Sequence, residues 1–532
     1  MEYDVIVVGA GNAAFAAAVS ARENGARKVL VLEKAPVELR GGNTHYSGAA
    51  FRIAFNSPED LRPLVPDAEK HHPGFFANVI PYPAEQFWAD LRKVTENRTD
   101  ERLAGIMIGK SYETIRWMHD VGIKMEPAEM LGAIKFGDKI KYLSGALIRA
   151  QGEGVGLSAM WFKIGEKRGV EVRYSTRAVR LLQDRSGRVN GVLVQGPGGL
   201  EEIRGKVVVL GCGSYESNPE WRARYLGRPW DLAKVRGTAF NTGDGLKMAT
   251  DIGAVPYGQY TGLHSTPIDA GAPPFGDRKL TDKTNRLTYP FSVMVNNRGQ
   301  RFADEGEDFN MLTYAKMGQM VLSQPGGVAY QIFDSKVTEF LEPRYNTAKP
   351  YIADTLDGLI RQLPVDQERA LAELRDYHAA LGGGEFNPLV KDGLRTKGLP
   401  VDKTNWAQPL DTPPFYAYPV TGGVTFTFGG VLVNDDAQVM SVGYTPVAGL
   451  YACGEMVGGL FHYNYPGGSG LVSGSVFGRI AGARAARAAA ASGPSTRATR
   501  AAKSGAKDTK PASKRRGGAR ARATGSRRKV PR

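Results

Sequence analysis

The stretch YDVIVVGAGNAAFAAAVSARENGARKVLVLEKAPVELRGGNT, from Tyr3 to Thr44, determines the fold class of the chain. Its segment Val5 to Val8 is rich in β-branched residues and does not alternate with polar ones, as in a parallel strand buried on both faces. Val29 to Leu32 repeats this pattern after a stretch of helical character. The succession of strand, helix and strand predicts the start of a Rossmann-like α/β domain.

The turn between this first strand and the helix has the pattern of a dinucleotide site. Gly9 permits a tight turn, Gly11 lets a pyrophosphate approach the backbone, and Ala14 is small enough for close helix packing. The helix N-terminus offers free N–H groups to phosphates. Glu33 follows the second strand, about 20 residues past the turn, where a carboxylate accepts ribose hydroxyls. Glu33 argues against NADP, whereas NAD and FAD both stay open.

The net charge of +15 over 532 residues is concentrated at the C-terminus. Residues 493–532 hold 14 Lys and Arg against the single acid Asp508, so the rest of the chain is nearly neutral. This tail has almost no large apolar residue and is expected to be disordered. It is expected either to solubilise the protein or to contact an acidic membrane surface, a partner or nucleic acid. The tail has no aromatic residues, which argues against stacking on single-stranded nucleic acid.

The sequence predicts a soluble cytoplasmic protein without a metal. No apolar run approaches the roughly 20 residues that a membrane span needs, and Met1-Glu2 leads directly into the first strand, so no signal peptide is expected. The two cysteines, Cys212 and Cys453, form neither a disulfide framework nor a zinc or iron-sulfur motif.

Changes in amino-acid composition and apolar pattern along the chain suggest how it is divided into domains. We expect a dinucleotide-binding domain at residues 1–258, an inserted α+β capping domain for the substrate at 259–420, a return segment at 421–492 and the basic tail at 493–532. Helices are predicted from Asp100 to Val121 and from Gln367 to Leu381, and a single strand from Val170 to Leu182. The turn Asn297-Arg298-Gly299 between Val293–Val295 and Arg301-Phe302 suggests a hairpin.

Five motifs in order resemble the fumarate reductase/succinate dehydrogenase flavoprotein family over about residues 3 to 485. Within that family, GGNTHYSGAAFRIAF, KVRGTAFNTGDG and YPGGSGLVSGSVFGRIAG look most like the FAD-dependent tricarballylate dehydrogenases, and the flavoprotein part of the precorrin-3B synthase type is similar. The five motifs are Gly9 to Ala14, Gly41 to Thr44, Asn241 to Gly245, Asn297 to Glu305 and Gly449 to Glu455.

The resemblance implies FAD as the cofactor. It assigns Glu33 to the adenosine ribose, Glu455 to the ribityl side and the helix that starts near Ser469 to the pyrimidine end of the flavin. Some relatives bind flavin covalently through a histidine at the position of Asn43, so non-covalent FAD is expected here, and His45 lies two residues further on. The expected FAD-binding residues are Gly9, Gly11, Asn12, Ala13, Ala14, Glu33, Lys34, Gly41, Gly42, Asn43, Thr44, Ala178, Asp244, Gly454, Glu455, Ser469, Gly470 and Leu471.

At the catalytic positions the chain departs from the fumarate reductases. The proton-transferring arginine of that family aligns with Phe309, next to Asn310, and the arginine that holds the substrate carboxylate aligns with Tyr465. His264 matches a histidine of the family. The candidate catalytic residues are His264, Tyr465, Arg52 and Arg301, with Arg236 as a further arginine that would hold a carboxylate through two bonds.

The resemblance implies a dehydrogenase that converts tricarballylate to cis-aconitate and passes electrons to a membrane-bound electron-transfer protein with iron-sulfur and haem centres. The basic tail would then hold the protein at the inner face of the membrane. A second hypothesis is a 3-ketosteroid-type dehydrogenase, because Tyr465-Pro466-Gly467 resembles a segment whose tyrosine polarises a ketone there. A third is a nucleic-acid-binding or scaffold protein with a vestigial flavin domain.

Overall fold

The quoted stretch forms the centre of a mixed eight-stranded sheet. In the computed structural model, Glu2–Val8 runs parallel to Val29–Leu32 on one side and to Gly199–Leu210 on the other. Val170–Arg173 and Pro446–Ala452 extend the parallel part at its two edges. The last four residues of the first strand are buried, as its apolar run predicts. The predicted Rossmann-like α/β fold is confirmed.

The structure describes residues 2–129, 133–137, 139–142 and 145–492. The basic tail predicted for residues 493–532 lies outside these described residues. Within them, no helix is long and apolar enough to cross a membrane. The same part of the chain contains no group of three or more His, Cys, Asp or Glu side chains arranged to hold a metal ion.

A second sheet is organised around the long strand Phe415–Thr427. This strand pairs antiparallel with Leu263–Asp269, Val328–Phe333 and Tyr351–Ala353, and parallel with Lys234–Val235. It crosses residue 420, where the sequence places a domain boundary, so the division into an FAD-binding and an inserted domain stays a prediction.

Helix Ser469–Ala491 packs against helix Asn12–Glu23 through glycines. A Cβ atom on Gly478 would lie 2.4 Å from the carbonyl oxygen of Ala13, and one on Gly482 would lie 2.1 Å from that of Ala17. The two helices therefore approach each other more closely than larger residues would allow. Among the described residues, this contact joins the last α-helix to the first one.

Some element boundaries follow the sequence and others do not. The helix predicted from Asp100 to Val121 is found at Glu101–Val121, where the Asp100 side chain caps its start and Gly122, with a φ of 119°, follows its end. The predicted hairpin is wrong: Val293–Asn296 pairs with Val328–Phe333 instead, because the turn after Asn296 closes on Gln300 and no second strand follows it. The strand predicted from Val170 to Leu182 is two strands.

The α-helices within the described residues are Asn12–Glu23, Ala68–His71, Phe75–Asn78, Ala84–Val94, Glu101–Val121, Glu153–Lys167, Pro219–Leu226, Asp244–Asp251, Asn310–Leu322, Leu356–Ile360, Gln367–Ala379 and Ser469–Ala491. The strands are Glu2–Val8, Val29–Leu32, Ala50–Phe51, Met125–Pro127, Ala133–Phe136, Lys139–Tyr142, Ile148–Ala150, Val170–Arg173, Arg177–Gln183, Val189–Gly196, Gly199–Leu210, Lys234–Val235, Pro256–Tyr257, Leu263–Asp269, Val293–Asn296, Val328–Phe333, Tyr351–Ala353, Phe415–Thr427, Gly430–Val431, Gln438–Met440 and Pro446–Ala452.

Candidate active site

A long cleft runs along the carboxyl ends of the parallel strands. Gly9, Glu33, Gly211 and Gly454, which follow four of these strands, all line it. The cleft encloses about 1820 Å³ of space free of protein atoms, open solvent at its mouth included. Open α/β sheets bind their ligands at this edge.

The glycine turn brings the backbone close to the neighbouring strand. Gly9 has a φ of 103°, and a Cβ atom on it would lie 2.4 Å from the carbonyl oxygen of Gly211. Any other residue at position 9 would be strained and would also collide with backbone. Gly11, Asn12 and Ala13 follow on the cleft wall, so the start of the first helix faces the ligand space.

Asn12 joins the two long helices that begin at the cleft. Its Nδ2 donates to the Leu471 carbonyl at 3.1 Å and to Ser475 Oγ at 2.9 Å. Its Oδ1 accepts from Trp161 Nε1 at 2.9 Å, and its main-chain N–H donates to Thr44 Oγ1 at 2.8 Å. The helix starting at residue 12 and the helix starting at residue 469 therefore present their N-terminal ends to the same cleft.

One end of the cleft carries the predicted ribose carboxylate. Glu33 accepts from the main-chain N–H groups of Ala35 at 2.9 Å and Gly41 at 3.4 Å, and burial raises its pKa. Beside it, Lys34 Nζ lies 2.9 Å from Asp244 Oδ2. The pKa of Asp244 is lowered, because its bonds to Arg177 and Lys34 outweigh its burial.

Both polar atoms of the Asn43 side chain form hydrogen bonds within the protein. Its Nδ2 donates to Glu216 Oε1 at 2.7 Å and to the Thr425 carbonyl at 2.8 Å, and its Oδ1 accepts from the Thr238 N–H at 3.0 Å. An amide held in this way offers no nucleophile for a covalent flavin bond. His45 does not line the cleft; its Nε2 lies 3.5 Å from the Arg278 carbonyl, and burial lowers its pKa to about 4.

The opposite end of the cleft carries two tyrosines. The hydroxyl groups of Tyr314 and Tyr465 lie 2.5 Å apart, and both side chains line the cleft together with Phe426 and Phe461. Burial raises the pKa of both phenols. The pKa of Tyr465 is held down by the hydrogen bond from Tyr314 and by Arg236, so Tyr465 is the easier of the two to deprotonate.

His264 lies one layer behind these tyrosines. Its ring stacks on Phe426 with centroids 5.2 Å apart and meets Tyr465 edge to face at 4.7 Å. Both ring nitrogens are buried and have no hydrogen-bond partner among the residues that the structure describes. Burial and the nearby charge of Arg236 lower its pKa well below the usual value, so the ring is neutral at pH 7.

Two arginines line the cleft at the tyrosine end. Arg236 donates to Thr425 Oγ1 at 2.8 Å, and within the described part of the chain its Nε has no partner. Arg344 pairs with Asp282, which also lines the cleft, and with Glu342 at 3.2 Å, and its Nε is likewise without a partner. Both arginines therefore keep an unused donor in buried surroundings.

Arg52 and Arg301, which the sequence analysis placed among the catalytic candidates, do not line the cleft. Arg301 makes a buried ion pair with Glu305 at 2.6 Å. Arg52 donates to the Gly467 carbonyl and to Tyr82 Oη, both at 2.7 Å, and lies directly behind the cleft wall. Arg52 also pairs with Asp90 at 3.3 Å, although its Nη2 has no partner among the described residues. Because neither arginine reaches the cleft and each forms an ion pair within the protein, structural roles are supported for both.

Some of the remaining predicted residues line the cleft and others do not. Neither Phe309 nor Asn310 lines the cleft. Ala14, Gly41 and Ser469 also lie outside its lining, although each neighbours a residue that belongs to it. The predicted cofactor residues that line the cleft are Gly9, Gly11, Asn12, Ala13, Glu33, Lys34, Gly42, Asn43, Thr44, Ala178, Asp244, Gly454, Glu455, Gly470 and Leu471.

Sequence reasoning missed Tyr314, Asp282, Asn285 and Arg344, which also line the cleft. They come from a helix and from irregular segments with no motif around them. The one available signal was the Pro-, Gly- and Asp-rich texture of residues 264–290, which is typical of functional loops.

Comparisons with known proteins agree with this geometry. A family model described as FAD binding domain matches residues 4–472. Fumarate reductase (cytochrome) of Shewanella frigidimarina is 29% identical over 488 residues, which cover 91% of this chain and 77% of that protein. The open conformation of a flavocytochrome c3 fumarate reductase superposes with a TM-score of 0.68 at 25% identity, covering 92% of this chain and 78% of that one.

The 3-ketosteroid Δ1-dehydrogenase of Sterolibacterium denitrificans shares the fold, with a TM-score of 0.69 at 22% identity. The match covers 91% of this chain and 99% of that structure.

Proposed function

The chain belongs to the FAD binding domain family of flavoproteins, and from this premise we propose that it oxidises a C–C single bond beside a carboxylate, converting tricarballylate to cis-aconitate. Its relatives are FAD-dependent oxidoreductases that act on C–C bonds. The observation that carries the finer proposal is Arg236, which is buried beside the cleft with an unpartnered Nε and, among the described residues, no carboxylate within ion-pair distance. Arg344 lies on the same cleft and pairs with Asp282 and Glu342, but its Nε is also unpartnered.

The cleft residues fit non-covalent FAD. No side chain has room at Gly9, and a Cβ on Gly42 would already be in van der Waals contact with Gly11 Cα at 3.9 Å, so the loop and the glycine turn lie close enough to hold a pyrophosphate between their backbones. Gly11 and Gly42 would hold the pyrophosphate, Glu33 the ribose, and the helix that begins at Ser469 the pyrimidine end. When bound, FAD supplies a hydride acceptor.

Arg236 and Arg344 would bind substrate carboxylates. A guanidinium binds a carboxylate through charge-assisted bonds, and the buried position of both side chains strengthens them. Such bonds also stabilise the negative charge that develops on a carboxylate when a proton leaves the neighbouring carbon. Asn285, on the same wall, would add a neutral donor.

Tyr465 would accept the substrate proton. The Tyr314 hydroxyl lies 2.5 Å from its oxygen and would donate to the phenolate, which the positive charges of Arg236 and Arg52 also favour. Because burial keeps its pKa above the ordinary value of 10.0, the reaction rate should rise with pH through the neutral and alkaline range. Phe426 and Phe461 beside it exclude water from the reacting carbons.

Anaerobic mixing of the purified yellow protein with tricarballylate, succinate or a 3-ketosteroid tests the proposal. Tricarballylate is expected to bleach the flavin fastest. Arg236→Met should slow this bleaching about 10- to 150-fold, the effect of losing one hydrogen bond to a charged group. Arg185→Met, on an exposed turn, is the matched control and should change nothing. Absence of bleaching by tricarballylate would refute the proposal.

A second candidate, desaturation of a ketone, is favoured by one observation. The hydroxyl groups of Tyr314 and Tyr465 are bonded to each other among aromatic rings, which leaves one buried O–H to donate to a carbonyl oxygen. Under this alternative, the 3-ketosteroid would bleach the flavin, and Arg236→Met would leave that rate unchanged. The same experiment therefore separates the two candidates.

The electron acceptor in this proposal is a separate membrane-bound electron-transfer protein at the inner face of the membrane. No second dinucleotide fingerprint is present in the sequence. We therefore expect the reduced flavin to pass its electrons to this separate protein and not to a nicotinamide bound by the same chain.

A further inference from the structure

Two carboxyl groups share their hydrogen-bond donors beside the FAD cleft. Asn43 Nδ2 lies 2.7 Å from Glu216 Oε1 and 3.2 Å from Glu455 Oε1. Asn241 Nδ2 lies 2.7 Å from Glu216 Oε1 and 3.4 Å from Glu455 Oε2. The two side chains are therefore neighbours, with Glu455 on the cleft wall and Glu216 fully buried behind it.

The donors that reach the pair are neutral. Besides the two amides, Ser214 Oγ donates to Glu216 Oε2 at 2.7 Å and lies 3.4 Å from Glu455 Oε2, and the Ser214 N–H lies 3.1 Å from that oxygen. Two buried carboxyl groups that share the same neutral donors, without a cation between them, oppose each other's ionisation.

Among the described residues, the charged and titratable side chains of the surrounding segments do not hydrogen-bond to the carboxyl oxygens of Glu216 or Glu455. Arg222, on helix Pro219–Leu226, interacts electrostatically with the Glu216 carboxylate and donates to the main-chain carbonyl of Glu216. The others are Tyr215, bonded to the Tyr260 carbonyl, Arg236, bonded to Thr425, His45, at the Arg278 carbonyl, and the thiols of Cys212 and Cys453.

We propose that the pair holds a single proton, that Glu216 carries the negative charge, and that Glu455 is a neutral carboxylic acid whose O–H is donated to FAD. Each shared donor lies closer to Glu216 than to Glu455, as expected when Glu216 is the ionised partner, because ionised acceptors form the shorter bonds. Arg222 adds positive charge on the Glu216 side.

The titration behaviour agrees with this assignment. Burial raises the pKa of both carboxyl groups, and the charge of Glu216 contributes to raising the pKa of Glu455 to about 8. A neutral acid donates a hydrogen bond to a hydroxyl or carbonyl oxygen of the ligand, whereas a carboxylate only accepts one. FAD binding above pH 8 should therefore take up one proton from solution.

The test measures the FAD dissociation constant of the full chain between pH 6 and pH 9.5 by flavin fluorescence. In the wild type it is expected to be constant up to about pH 7.5 and then to rise tenfold per pH unit once Glu455 ionises. Glu455→Gln keeps a neutral donor, so its dissociation constant should stay within threefold of the wild type at pH 7 and remain flat to pH 9.5.

Glu216→Gln is expected to shift the pH dependence of FAD binding to lower pH, whereas Glu455→Gln removes it. Without the charge of Glu216, the pKa of Glu455 falls, so FAD affinity should begin to drop at least one pH unit lower than in the wild type. Glu385→Gln, at an exposed position, is the matched control and should follow the wild type. Circular dichroism of each FAD-free variant verifies folding independently of FAD.

Carbon-13 NMR of the FAD-free protein with labelled glutamate δ-carbons measures the proton directly. One protonated carboxyl resonance is expected at pH 7 in the wild type, and it should be absent from Glu455→Gln. A loss of more than tenfold in FAD affinity at pH 7 in Glu455→Gln, or a wild-type affinity independent of pH, would overturn the proposal. Neither outcome depends on which acid or ketone the enzyme oxidises.

Discussion

At the scale of single residues, buried arginines divide by what their guanidinium groups contact. Arg301 and Glu305 neutralise each other at 2.6 Å, and both side chains are almost completely buried. Among the described residues, Arg236 has no carboxylate within ion-pair distance, although it too is buried. An uncompensated buried cation is costly unless a ligand anion completes it. This difference separates an arginine suited to a substrate from one suited to the fold.

Arg301→Met is expected to destabilise the protein by about 3–5 kcal/mol, because it leaves the Glu305 carboxylate buried without its partner. Urea unfolding of the FAD-bound protein measures the change, and Arg298→Met, at an exposed turn position, is the control. A stability within 1 kcal/mol of the wild type, together with a large loss in flavin reduction rate, would instead make Arg301 catalytic.

His264→Phe is expected to make the protein less sensitive to acid. The pKa of His264 is lowered well below 6.5 in the folded chain, so below pH 6.5 the unfolded chain binds one more proton and wild-type stability falls. The variant lacks this effect and should gain up to about 1.4 kcal/mol relative to the wild type per pH unit below 6.5.

Urea unfolding at pH 7.5, 6.5 and 5.5 measures that difference. Parallel stability curves for the two proteins would show that the pKa of His264 is the same in the folded and unfolded chains, which would contradict the expectation.

At the scale of elements, the cleft depends on the contact between helices Asn12–Glu23 and Ser469–Ala491. The two helix N-termini are held together by Asn12 and, further along, by the glycines that let the backbones approach. The close packing of the two helices therefore determines where their positive N-terminal ends would meet the cofactor.

Gly482→Ala should separate these helices. The new Cβ would lie 2.1 Å from the Ala17 carbonyl oxygen, so we expect a loss of about 1–3 kcal/mol in stability and a weaker affinity for FAD. Gly109→Ala is the matched control, because a Cβ there meets nothing within 4 Å. It should raise stability by about 0.5–1 kcal/mol, since alanine favours the helix.

Thermal unfolding and flavin fluorescence measure both effects. Equal stabilities for the two glycine variants would contradict the close packing of the two helices.

At the scale of the whole molecule, charge and chemistry are separated along the chain. The catalytic candidates lie within residues 2–492, a part of nearly zero net charge, whereas residues 493–532 carry 14 basic side chains and one acid. A basic segment attracts an acidic surface and speeds association with it at low ionic strength. The proposed membrane acceptor is such a surface.

Deletion of residues 493–532 should slow electron transfer to a membrane acceptor about tenfold or more at low salt, and the difference should vanish at about 1 M salt, where charges are screened within about 3 Å. Flavin reduction by substrate in the absence of membranes is the control and should be unchanged. A rate with unchanged salt dependence after the deletion would refute the role of the tail.

The nucleotide half of the cleft could be predicted from the sequence because its chemistry is local. Gly9, Gly11 and Glu33 belong to one strand-helix-strand unit, in which spacing along the chain determines position in space. The substrate half could be predicted only in part: Arg236 and Tyr465 were among the candidates and line the cleft, but so were Arg52 and Arg301, which do not. Arg236, Tyr314 and Arg344 come from separate elements, and a side chain beside the cleft looks no different in sequence from one in an ion pair.

The sequence by itself determined the α/β fold, the dinucleotide turn, the family and hence FAD, since these depend on short-range patterns of apolar residues and glycines. Only the tertiary structure decided that Arg301 pairs with Glu305, that Arg236 keeps an unpartnered donor at the cleft, and that Glu216 stands behind Glu455. The physical reason is that partner choice and burial set the charge and pKa of a side chain, and both arise from contacts between residues far apart in the chain.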